Sequence, residues 1–486
     1  MRDQLQDRAA DREHIFVPRY SRPLDTTIWT EDPALVGLVQ EIWGQHFAAD
    51  EAEKQRGGRK PVRPYVEQLR VVLTDLYLVT QEDPLLCLGM SFSDGAWSSR
   101  SRYNPLGLSR QVIGLVKRLA EAGVVRVAPG SYSGPGAVGN RTTRIQAGSA
   151  LLQRFAALEV DPRAIRAVPT ECIVLKDEAD KLVEYEDTEE TRRMRSELTA
   201  YNDLLARTFI DIPSLEDPWI VRQDSAGQDI RVGIAPRYQH VRRIFSRSSW
   251  EMNGRFYGPW WQGLSSEWRS QIFINDTPTV EIDFKAIHPQ ILAAQQGVEL
   301  PDDPYVLPPG QFPGVEEWDQ RDLVKQLVLT ALNARNVRSA SSAFRNDFPT
   351  GHPAKGLSNE TLQQVVEAFS RQVPALADSL CSDAGIRLMY TDSRIIERVI
   401  NHFTREGLPV LTVHDSVITP YTHSTEVQEV MRQAAAEVVG RELPVEAEHR
   451  GQDFETLREA GRGEGYLVRL AAWEAETGRE VLSLTG

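Results

Sequence analysis

The sequence predicts an α+β protein, and three patterns along the chain support that fold class. The stretch "TVEIDF" alternates polar and apolar residues, which is typical of a β-strand with one buried face. The stretch "LTVHDSVITP", Leu411 to Pro420, is an apolar run interrupted by His414, Asp415 and Ser416, which indicates two strands joined by a sharp turn. Between them, "WDQRDLVKQLVLTALNARN" has the apolar spacing of a helix. We therefore expect strands and helices together in this half of the chain.

Length and composition set limits on the number of domains and on the location of the protein. A chain of 486 residues is long for one domain, so two or three units with separate cores are expected. The hydrophobic content of 41% and the charged content of 26% are ordinary for globular proteins. No run of about 18 apolar residues occurs, and the beginning "MRDQLQDRAADREHIF" is charged. We therefore expect a soluble cytoplasmic protein without a membrane partner.

The cysteines and the net charge exclude several function classes. Cys87, Cys172 and Cys381 are far apart in sequence and form neither a zinc-type spacing nor a disulfide framework. The net charge of −14 argues against a protein that coats nucleic acid without specificity. The segment from Lys54 to Ile145 is different, since it carries 14 Lys/Arg and 6 Asp/Glu residues, a local charge of +8. This segment is where we expect contact with a polyanion.

Within this basic segment, a helix pattern is followed directly by two short strand patterns. "LSRQVIGLVKRLAEAGVV" has a helical apolar stripe, with Ser109 as the expected cap and Gly123 as the expected stop. "VVRVAPGSYSGPGAVGNRTTRIQA" indicates two strands joined by a loop rich in Gly, Pro and Ser. This order resembles a winged-helix domain, in which a helix enters the DNA major groove and a hairpin contacts the backbone. An ordinary helix with a basic solvent face, or a winged helix that binds protein, is the alternative. The basic residues expected to contact nucleic acid here are Arg110, Lys117, Arg118, Arg141 and Arg144.

A second segment, Pro236 to Arg269, combines six arginines with eight aromatic residues. Interleaved aromatic and arginine side chains can stack on bases and hold phosphates. Eight aromatic residues would also form a good core. Arg243, Arg247 and Arg255 are our candidates for contact with nucleic acid or nucleotide, and a structural role is the alternative.

Asp283 and Asp415 are candidate metal ligands because each falls at the end of a predicted strand. Carboxylates from two strand ends could meet in one sheet and share divalent ions. Mg²⁺ suits such a pair, since it takes a few carboxylate oxygens and leaves room for water and phosphate oxygens. Two such ions can activate an attacking hydroxyl and neutralise a leaving pyrophosphate, and Mn²⁺ could replace them. Aspartate is also common in turns and caps, so the two residues alone leave the question open.

The helix pattern between these aspartates carries a pair of cations. Arg321 and Lys325 are four residues apart, one above the other on a helix face, and Leu329 continues their row. Two fixed cations on one helix can bind a triphosphate, with Arg as a planar fork and Lys as a point charge. A solvated basic pair is the common alternative. The functional interpretation is favoured by the order of these features along the chain. A strand that ends in Asp is followed by a basic helix, and then by two strands joined at a His-Asp turn.

That order resembles the palm and fingers of family A DNA polymerases and of the single-subunit, bacteriophage-type RNA polymerases. "VEIDFKAIHPQIL" is similar to their motif A, "RDLVKQLVLTALNA" to their fingers-helix motif B, and "VLTVHDSVIT" to their motif C. The resemblance covers roughly 237–448, somewhat under half of the chain, and motif C is its most specific part. It implies a polymerase right hand, with an antiparallel palm sheet and helical fingers.

The resemblance also implies roles for individual residues. Asp283 and Asp415 would bind two Mg²⁺ ions and, with Lys325 as the proton donor to pyrophosphate, form the catalytic group. Arg321 and Lys325 would bind the triphosphate, with Leu329 and His288 beside the nucleotide. His414 would lie beside the primer or product end. "NGRFYG", which contains Arg255, is a short match to a stretch upstream of motif A in the RNA enzymes.

Departures from the family pattern leave the sugar preference open. His288 stands where the DNA enzymes have a glutamate that helps to exclude the ribose 2′-hydroxyl. Leu329 is aliphatic, as in the RNA enzymes, and Ser416 replaces the second carboxylate that the DNA enzymes usually carry in motif C. No three-carboxylate pattern of a proofreading exonuclease occurs before Arg237.

The expected activity is therefore template-directed nucleotidyl transfer from nucleoside triphosphates, without proofreading, on a DNA template. One alternative is a DNA-binding replication or regulatory factor with an inactive palm. Another is a metal phosphohydrolase built on His414 and Asp415, although that family places its His-Asp pair in a helical bundle. The preference for dNTPs or NTPs, a DNA or an RNA template, RNA as primer or product, primer dependence and oligomeric state remain open. The process served also remains open, and plasmid or phage-like replication, priming, repair and defence are all compatible with the sequence. The expected segments are an N-terminal helical segment (1–53), a winged-helix-like domain (54–150), a helical connector or thumb-like region (151–235), a palm and fingers core (236–450) and a C-terminal segment (451–486).

Overall fold

The protein divides into two compact units. The computed structural model describes residues 21–47, 61–82, 86–131, 140–160, 164–223, 229–312, 317–448 and 461–481. Unit 1 comprises Met1–Glu171 and Trp219–Gly233, and unit 2 comprises Cys172–Pro218 and Ile234–Gly486. The two expected N-terminal segments therefore lie in one unit, whereas the expected connector, 151–235, is divided between both.

Unit 1 is a mixed helix and strand unit around a four-stranded sheet. Its described helices are α1 (Pro33–His46), α2 (Tyr65–Glu82), α3 (Gln111–Glu121) and α4 (Ser149–Ala157), with a 3₁₀ turn at Asp94–Ala96. Its strands are β1 (Ser21–Pro23), β2 (Ile28–Thr30), β3 (Cys87–Met90), β4 (Val125–Ala128), β5 (Thr143–Ala147), β6 (Ile165–Ala167), β9 (Trp219–Gln223) and β10 (Asp229–Gly233). The main sheet has the order β1-β3-β5-β4, and β2 pairs with β6 and β9 with β10. Apolar residues of the first three helices, such as Leu38, Leu69 and Val116, are buried in one core with this sheet.

The helix and hairpin predicted in the basic segment are present. Helix α3 is followed by β4 and β5, which pair antiparallel, and β3 pairs antiparallel with the other edge of β5. Residues 132–139 of the connecting loop lie outside the described residues. Gly123, with φ of 72°, follows the helix end as predicted. Ser109 is not the cap, because its hydroxyl and its backbone N–H both donate to Gln68 Oε1, at 3.0 and 2.9 Å.

Two segments that were expected to be helical contain strands as well. The described part of 1–53 contains β1 and β2 as well as α1, because the Ile-Trp-Thr of β2 has the β-branched and aromatic composition that favours strands. Residues 1–20 and 48–53 lie outside the described residues. Helix α1 begins at Pro33 because Asp32 caps it, accepting from the N–H groups of Ala34 and Leu35. The segment 151–235 contains several short strands besides its helices.

Unit 2 is built around a six-stranded sheet. Its described helices are α5 (Glu189–Ala206), α6 (Ser266–Arg269), α7 (Ile287–Gln295), α8 (Glu317–Asn333), α9 (Val337–Asn346), α10 (Asn359–Gln372), α11 (Gly385–Glu406), α12 (Ser424–Val439) and α13 (Glu464–Thr477). Its strands are β7 (Ile173–Leu175), β8 (Ile210–Asp211), β11 (Arg242–Phe245), β12 (Asn253–Tyr257), β13 (Phe273–Ile274), β14 (Thr277–Phe284), β15 (Leu411–Val413), β16 (Ser416–Pro420) and β17 (Val445–Glu448). Short 3₁₀ turns lie at Pro236–Tyr238, Trp260–Gly263, Pro353–Gly356, Pro374–Ser379 and Tyr421–His423.

The main sheet of unit 2 places β14 in a central position. The strand order is β15-β16-β14-β13-β8, and β17 pairs with β14 as well. All these pairings are antiparallel. A smaller sheet has the order β12-β11-β7. Helix α11 packs against β12, α5, α7 and α12, so it connects the small sheet with the helices around the main one.

The C-terminal helix is fixed to the edge of the main sheet by ion pairs. Arg469 donates from Nε and Nη2 to the buried Asp211 of β8, at 2.8 and 2.9 Å. The Tyr466 hydroxyl donates to Asp276 Oδ1 at 2.8 Å, and the rings of Tyr466 and Phe209 are 5.4 Å apart. The described part of the expected segment 451–486 is therefore a component of unit 2. None of the helices in the described ranges combines the length and the apolar character that crossing a bilayer requires.

Candidate active site

Strand pairing brings Asp283 and Asp415 to the same end of the main sheet. Asp283 is the second-last residue of β14 and lies directly opposite Ser416, the first residue of β16. Asp415 immediately precedes Ser416 in the turn between β15 and β16. Both aspartates are partly accessible to solvent. Two strand ends that are 132 residues apart in sequence therefore lie side by side, each with an aspartate.

The turn that carries Asp415 is a two-residue β-hairpin turn. Val413 and Ser416 are register partners, so His414 and Asp415 are the two central residues. His414 has φ of 59°, the positive value that two-residue hairpin turns require at their first central position. The strained conformation of a non-glycine residue here is stabilised by the two strands that flank it. The carbonyl of Thr412 accepts from the indole of the fully buried Trp261, at 3.0 Å.

Ser416 belongs to a hydrogen-bonded group behind the two aspartates. Its Oγ is 2.6 Å from Glu281 Oε1 and 3.0 Å from the carbonyl oxygen of Val413. Glu281 is two residues before Asp283 on β14, so both side chains lie on one face of the sheet. Arg269 donates to both Glu281 oxygens, at 2.9 and 3.0 Å. Ser416 therefore contacts a carboxylate, Glu281, whose charge is compensated by Arg269.

A buried ion-pair cluster, formed by Arg255, His288 and Asp392, lies beside the turn. Asp392 of α11 is fully buried, and its carboxylate accepts from Arg255 Nε at 2.9 and 3.1 Å and also from Nη2. His288 Nε2 is 2.9 Å from Asp392 Oδ2 and 3.2 Å from Arg255 Nη2. The same Nη2 is 3.9 Å from Asp415 Oδ1. The cluster thus links β12, α7 and α11 to the turn.

The electrostatics of this cluster shift two pKa values. Burial alone lowers the pKa of Arg255, but the Asp392 carboxylate and, further away, Asp415 raise it above its ordinary value. Burial, followed by repulsion from Arg255, lowers the pKa of His414, while Asp415 and Asp392 oppose this. His414 Nδ1 is buried and forms no hydrogen bond within the described residues. At neutral pH, His414 is therefore an uncharged ring beside Tyr257, with their ring centres 5.6 Å apart.

Arg243 does not face a nucleic acid, which corrects the sequence-based prediction. It is 2% exposed, and it donates to Glu397 Oε1 at 2.6 Å and to the carbonyl of Gly254 at 2.9 Å. The alternation of β11 turns this arginine into the interior, where the glutamate of α11 compensates its charge. Arg247 is partly exposed and forms an ion pair with Asp383, at 2.5 and 3.0 Å. Among the three predicted arginines, Arg255 is the one that the structure places beside the aspartates.

The predicted cation pair lies on the solvent-facing row of α8. Arg321 and Lys325 are both exposed, and Leu329 further along the row is half-buried. Arg321 Nε donates to Asp303 at 2.8 Å and Nη1 donates to Asp322 at 2.9 Å. Lys325 forms no ion pair or hydrogen bond within the described residues. Helix α8 packs against α11, the helix that carries Asp392.

The predicted basic residues of unit 1 differ in exposure. Arg110, Lys117 and Arg141 are exposed, and Arg110 is 3.6 Å from Asp94. Arg118 is half-buried over the ring of Phe47, at 5.4 Å. Arg144 of β5 is half-buried too, and burial followed by repulsion from Arg141 lowers its pKa.

The sequence reasoning missed Asp392, which is central to the cluster. A usable signal was present, since Asp392 interrupts the apolar row formed by Leu388, Ile395 and Val399 of α11. A charged residue on the buried face of a helix implies a buried partner. The partners come from β12 and α7, however, and no local pattern identifies them.

The donor chemistry at the sheet end fits Mg²⁺ through two carboxylates. Mg²⁺ in proteins is commonly held by one or two carboxylates, with water and phosphate oxygens filling its other positions. Asp283 and Asp415 supply two partly accessible carboxylates at the same end of the sheet. In the described part of the chain, no group of three or more His, Cys, Asp and Glu side chains is arranged to hold a metal ion. Any metal here would therefore depend on substrate and water oxygens.

Comparison with known proteins adds a weak structural likeness. No protein-family model matches the chain, and a search of curated proteins finds no match. Among solved structures, the chain is similar to the POL domain of Pol1 from M. smegmatis in complex with DNA primer-template and dNTP. The two are 11% identical, the match covers 91% of this chain and 68% of that chain, and the TM-score is 0.29. A TM-score this low supports no statement about shared function, so the interpretation depends on the residues of this chain.

Proposed function

We propose that the chain is a template-directed nucleotidyltransferase of the polymerase type. The observation that carries the proposal is the register of β14 and β16, which places Asp283 beside the turn residue Asp415. This arrangement has the residue types and the order along the chain that the resemblance to family A and single-subunit RNA polymerases implies. The paired carboxylates, an exposed basic helix and an antiparallel central sheet all belong to the same unit.

In this proposal, Asp283 and Asp415 hold Mg²⁺, which when bound polarises phosphate oxygens and lowers the pKa of an attacking hydroxyl. Arg255 keeps part of the negative charge of Asp415 compensated before substrate binds. The buried cluster with Asp392 and His288 fixes the position of that guanidinium, so the turn is preorganised.

The cations of α8 bind the triphosphate of the incoming nucleotide. Lys325 is exposed and forms no ion pair within the described ranges, so it can bind phosphate without breaking an existing contact. Arg321 exchanges its exposed contacts to Asp303 and Asp322 for phosphate oxygens. The primer 3′-hydroxyl loses its proton to solvent, and its oxygen forms a bond to the α-phosphorus as the bond to the pyrophosphate oxygen breaks. Lys325 donates a proton to that leaving oxygen. His414, uncharged and beside Tyr257, lies next to the growing end.

His288 bears on the choice of sugar. Its ring is buried and held by Asp392 and Arg255. A fixed ring of this kind cannot move aside for a 2′-hydroxyl, and it offers no carboxylate to repel one. The preference for dNTPs or NTPs therefore depends on whether the space beside the His288 ring admits a 2′-hydroxyl. Incorporation assays with the two kinds of nucleotide measure this preference.

Unit 1 is proposed to bind the DNA through α3 and the β4–β5 hairpin, in the manner of a winged helix. The exposed Arg110, Lys117 and Arg141 are suited to phosphate contacts. Replacing Lys117 by Gln should weaken binding to all DNA sequences and reduce the slope of log affinity against log salt by about one. An unchanged slope would show that α3 does not contact the backbone.

The central test is nucleotide incorporation by Asp283→Asn and Asp415→Asn variants. Labelled dNTPs and NTPs are supplied separately, on primed and unprimed DNA and RNA templates, so one matrix decides sugar, template and priming. Each variant should lose roughly a thousandfold in rate or more, with DNA affinity nearly unchanged, because several kcal/mol of charge stabilisation are removed. Asp302→Asn is the matched control, since Asp302 is an exposed carboxylate that forms no hydrogen bond or ion pair within the described residues.

Two outcomes would reject the proposal. Appreciable metal-dependent synthesis by either variant would show that these carboxylates are not the metal ligands. Retained DNA binding with no incorporation by the wild-type protein under any combination would instead select the non-enzymatic DNA-binding factor.

A further inference from the structure

A polar cleft lies in unit 2, on the side of α11 that faces away from Asp392. Its volume is about 700 Å³, and it is lined by residues of α5, β11, α11 and α12. At 3.6 residues per turn, positions 394, 397 and 401 lie roughly opposite position 392 around the helix axis. The cleft is therefore separate from the aspartate pair, and its lining has no part in the proposed reaction.

The floor of the cleft is an ion-pair network in which Arg243 and Glu397 are buried and Arg193 and Glu190 are exposed. Glu397 accepts from Arg243 Nη1 at 2.6 Å and from Arg193 Nη2 at 3.2 Å. Arg193 also pairs with Glu190 and Glu197, each at 2.6 Å. Because these groups compensate one another, the floor is fixed before any ligand arrives.

The walls carry further positive charge on α11. Arg394 and Arg405 of α11 line the cleft and form no hydrogen bond or ion pair within the described part of the chain. Arg398, between them, pairs with Glu437 at 2.9 Å. Five arginines and three glutamates line the cleft in total. An anion with several charges would therefore find two guanidinium groups without a fixed ion pair on one helix face. One of them, Arg394, lies 6.0 Å from the centre of the Tyr390 ring and attracts the carboxylate of Glu190.

The remaining wall is aromatic. Tyr390 and Trp250 line the cleft and are partly accessible, and Phe245 behind them is buried. Trp250 is held in place by edge contacts to Tyr185 and Phe245, with ring centres 4.9 and 5.0 Å apart. Rings of this kind provide a face on which a base can stack, next to the cations that would bind phosphates.

We propose that this cleft binds a free nucleoside polyphosphate, with its phosphates on Arg394 and Arg405 and its base against Tyr390 and Trp250. A volume of about 700 Å³ lies in the range of pockets that enclose small molecules. The site differs from the nucleotide site proposed on α8, so it would serve as an effector site. The inference does not depend on the proposed polymerase activity.

Calorimetric titration of the full chain with ATP in EDTA tests the proposal. Chelation removes binding that requires a metal, so the cleft is measured separately from the aspartate site. The double variant Arg394→Gln/Arg405→Gln should bind ATP at least about tenfold more weakly than the wild type, because two charge-assisted contacts are lost. Arg371→Gln is the matched control, since Arg371 is an exposed arginine of α10 outside the cleft.

The competing anions define the outcomes that overturn the proposal. Inorganic tripolyphosphate should bind more weakly than ATP, and equal binding would show that no base is recognised. An eight-nucleotide single strand that binds more tightly than ATP, and that loses affinity in the double variant, would assign the cleft to a phosphodiester backbone instead. Absence of ATP binding, or equal binding by the double variant, would overturn the site altogether. If the double variant unfolds, Arg405→Gln alone provides the same comparison, because Arg405 is exposed.

Discussion

Replacing Asp392 by Asn tests whether the buried cluster fixes the turn that carries Asp415. Asp392 is fully buried and compensates Arg255, whose side chain is 11% exposed. The substitution keeps the size of the side chain and removes its charge, so a buried guanidinium is left with Asp415 at 3.9 Å as its nearest anion. Removing one partner of a buried ion pair costs about 3–5 kcal/mol. Since Asn retains one acceptor oxygen, we expect the lower end, about 3 kcal/mol.

Hydrogen exchange of the backbone amides in α11 and β12 measures this effect locally. A loss of about 3 kcal/mol should accelerate exchange there by roughly a hundredfold. Asp383→Asn is the matched control, because its ion pair with Arg247 is partly exposed. That pair should contribute about 1 kcal/mol or less.

Two results would refute the reasoning about the cluster. One is an Asp392→Asn variant within about 0.5 kcal/mol of the wild type, and the other is an equal effect of Asp383→Asn. The double variant Arg255→Met/Asp392→Leu adds a further check, since removing both charges should restore much of the stability that the single change loses.

Two further predictions concern the turn. Ser416→Ala should lower the free energy of unfolding by about 1 kcal/mol, because the contact to Glu281 is lost. Ser416→Asp should lower it more, because two carboxylates would then meet in a buried position. Denaturant unfolding in which the Asp variant is more stable than the Ala variant would contradict this. The pKa of His414 lies below its ordinary value of 6.5, owing to burial and Arg255, so the unfolded chain binds that proton at a higher pH than the folded chain. The wild type should therefore lose stability relative to His414→Gln as the pH falls below about 6.5, and a stability difference that stays constant from pH 8 to pH 5 would exclude this effect.

Local sequence patterns predicted the elements that carry the site. The alternation in "TVEIDF" places Asp283 near the end of β14, and the interrupted run at His414 and Asp415 is a hairpin turn, as predicted. The helix with Arg321 and Lys325 is present with both cations exposed. These features depend on periodicity and turn chemistry within a few residues, which is why a single sequence is sufficient for them.

Long-range pairing was beyond the reach of those patterns. Arg243 and Arg255 belong to the same arginine-rich segment, yet Arg243 is buried against Glu397 and Arg255 is joined to Asp392 beside the aspartates. Both partners lie on α11, more than 130 residues further along the chain. Composition makes the two arginines look alike, and the packing of α11 against β11 and β12 gives them different roles.

The sequence by itself determined the strands, the turn and the basic helix, because each is encoded in the spacing of neighbouring residues. Only the tertiary structure decided that β14 pairs with β16 in the register that puts Asp283 opposite Ser416. It also decided that Asp392 and His288 hold Arg255 near Asp415, and that the other side of α11 borders a basic cleft. The physical reason is that a buried charge requires a compensating partner, and which partner is near depends on how distant segments pack.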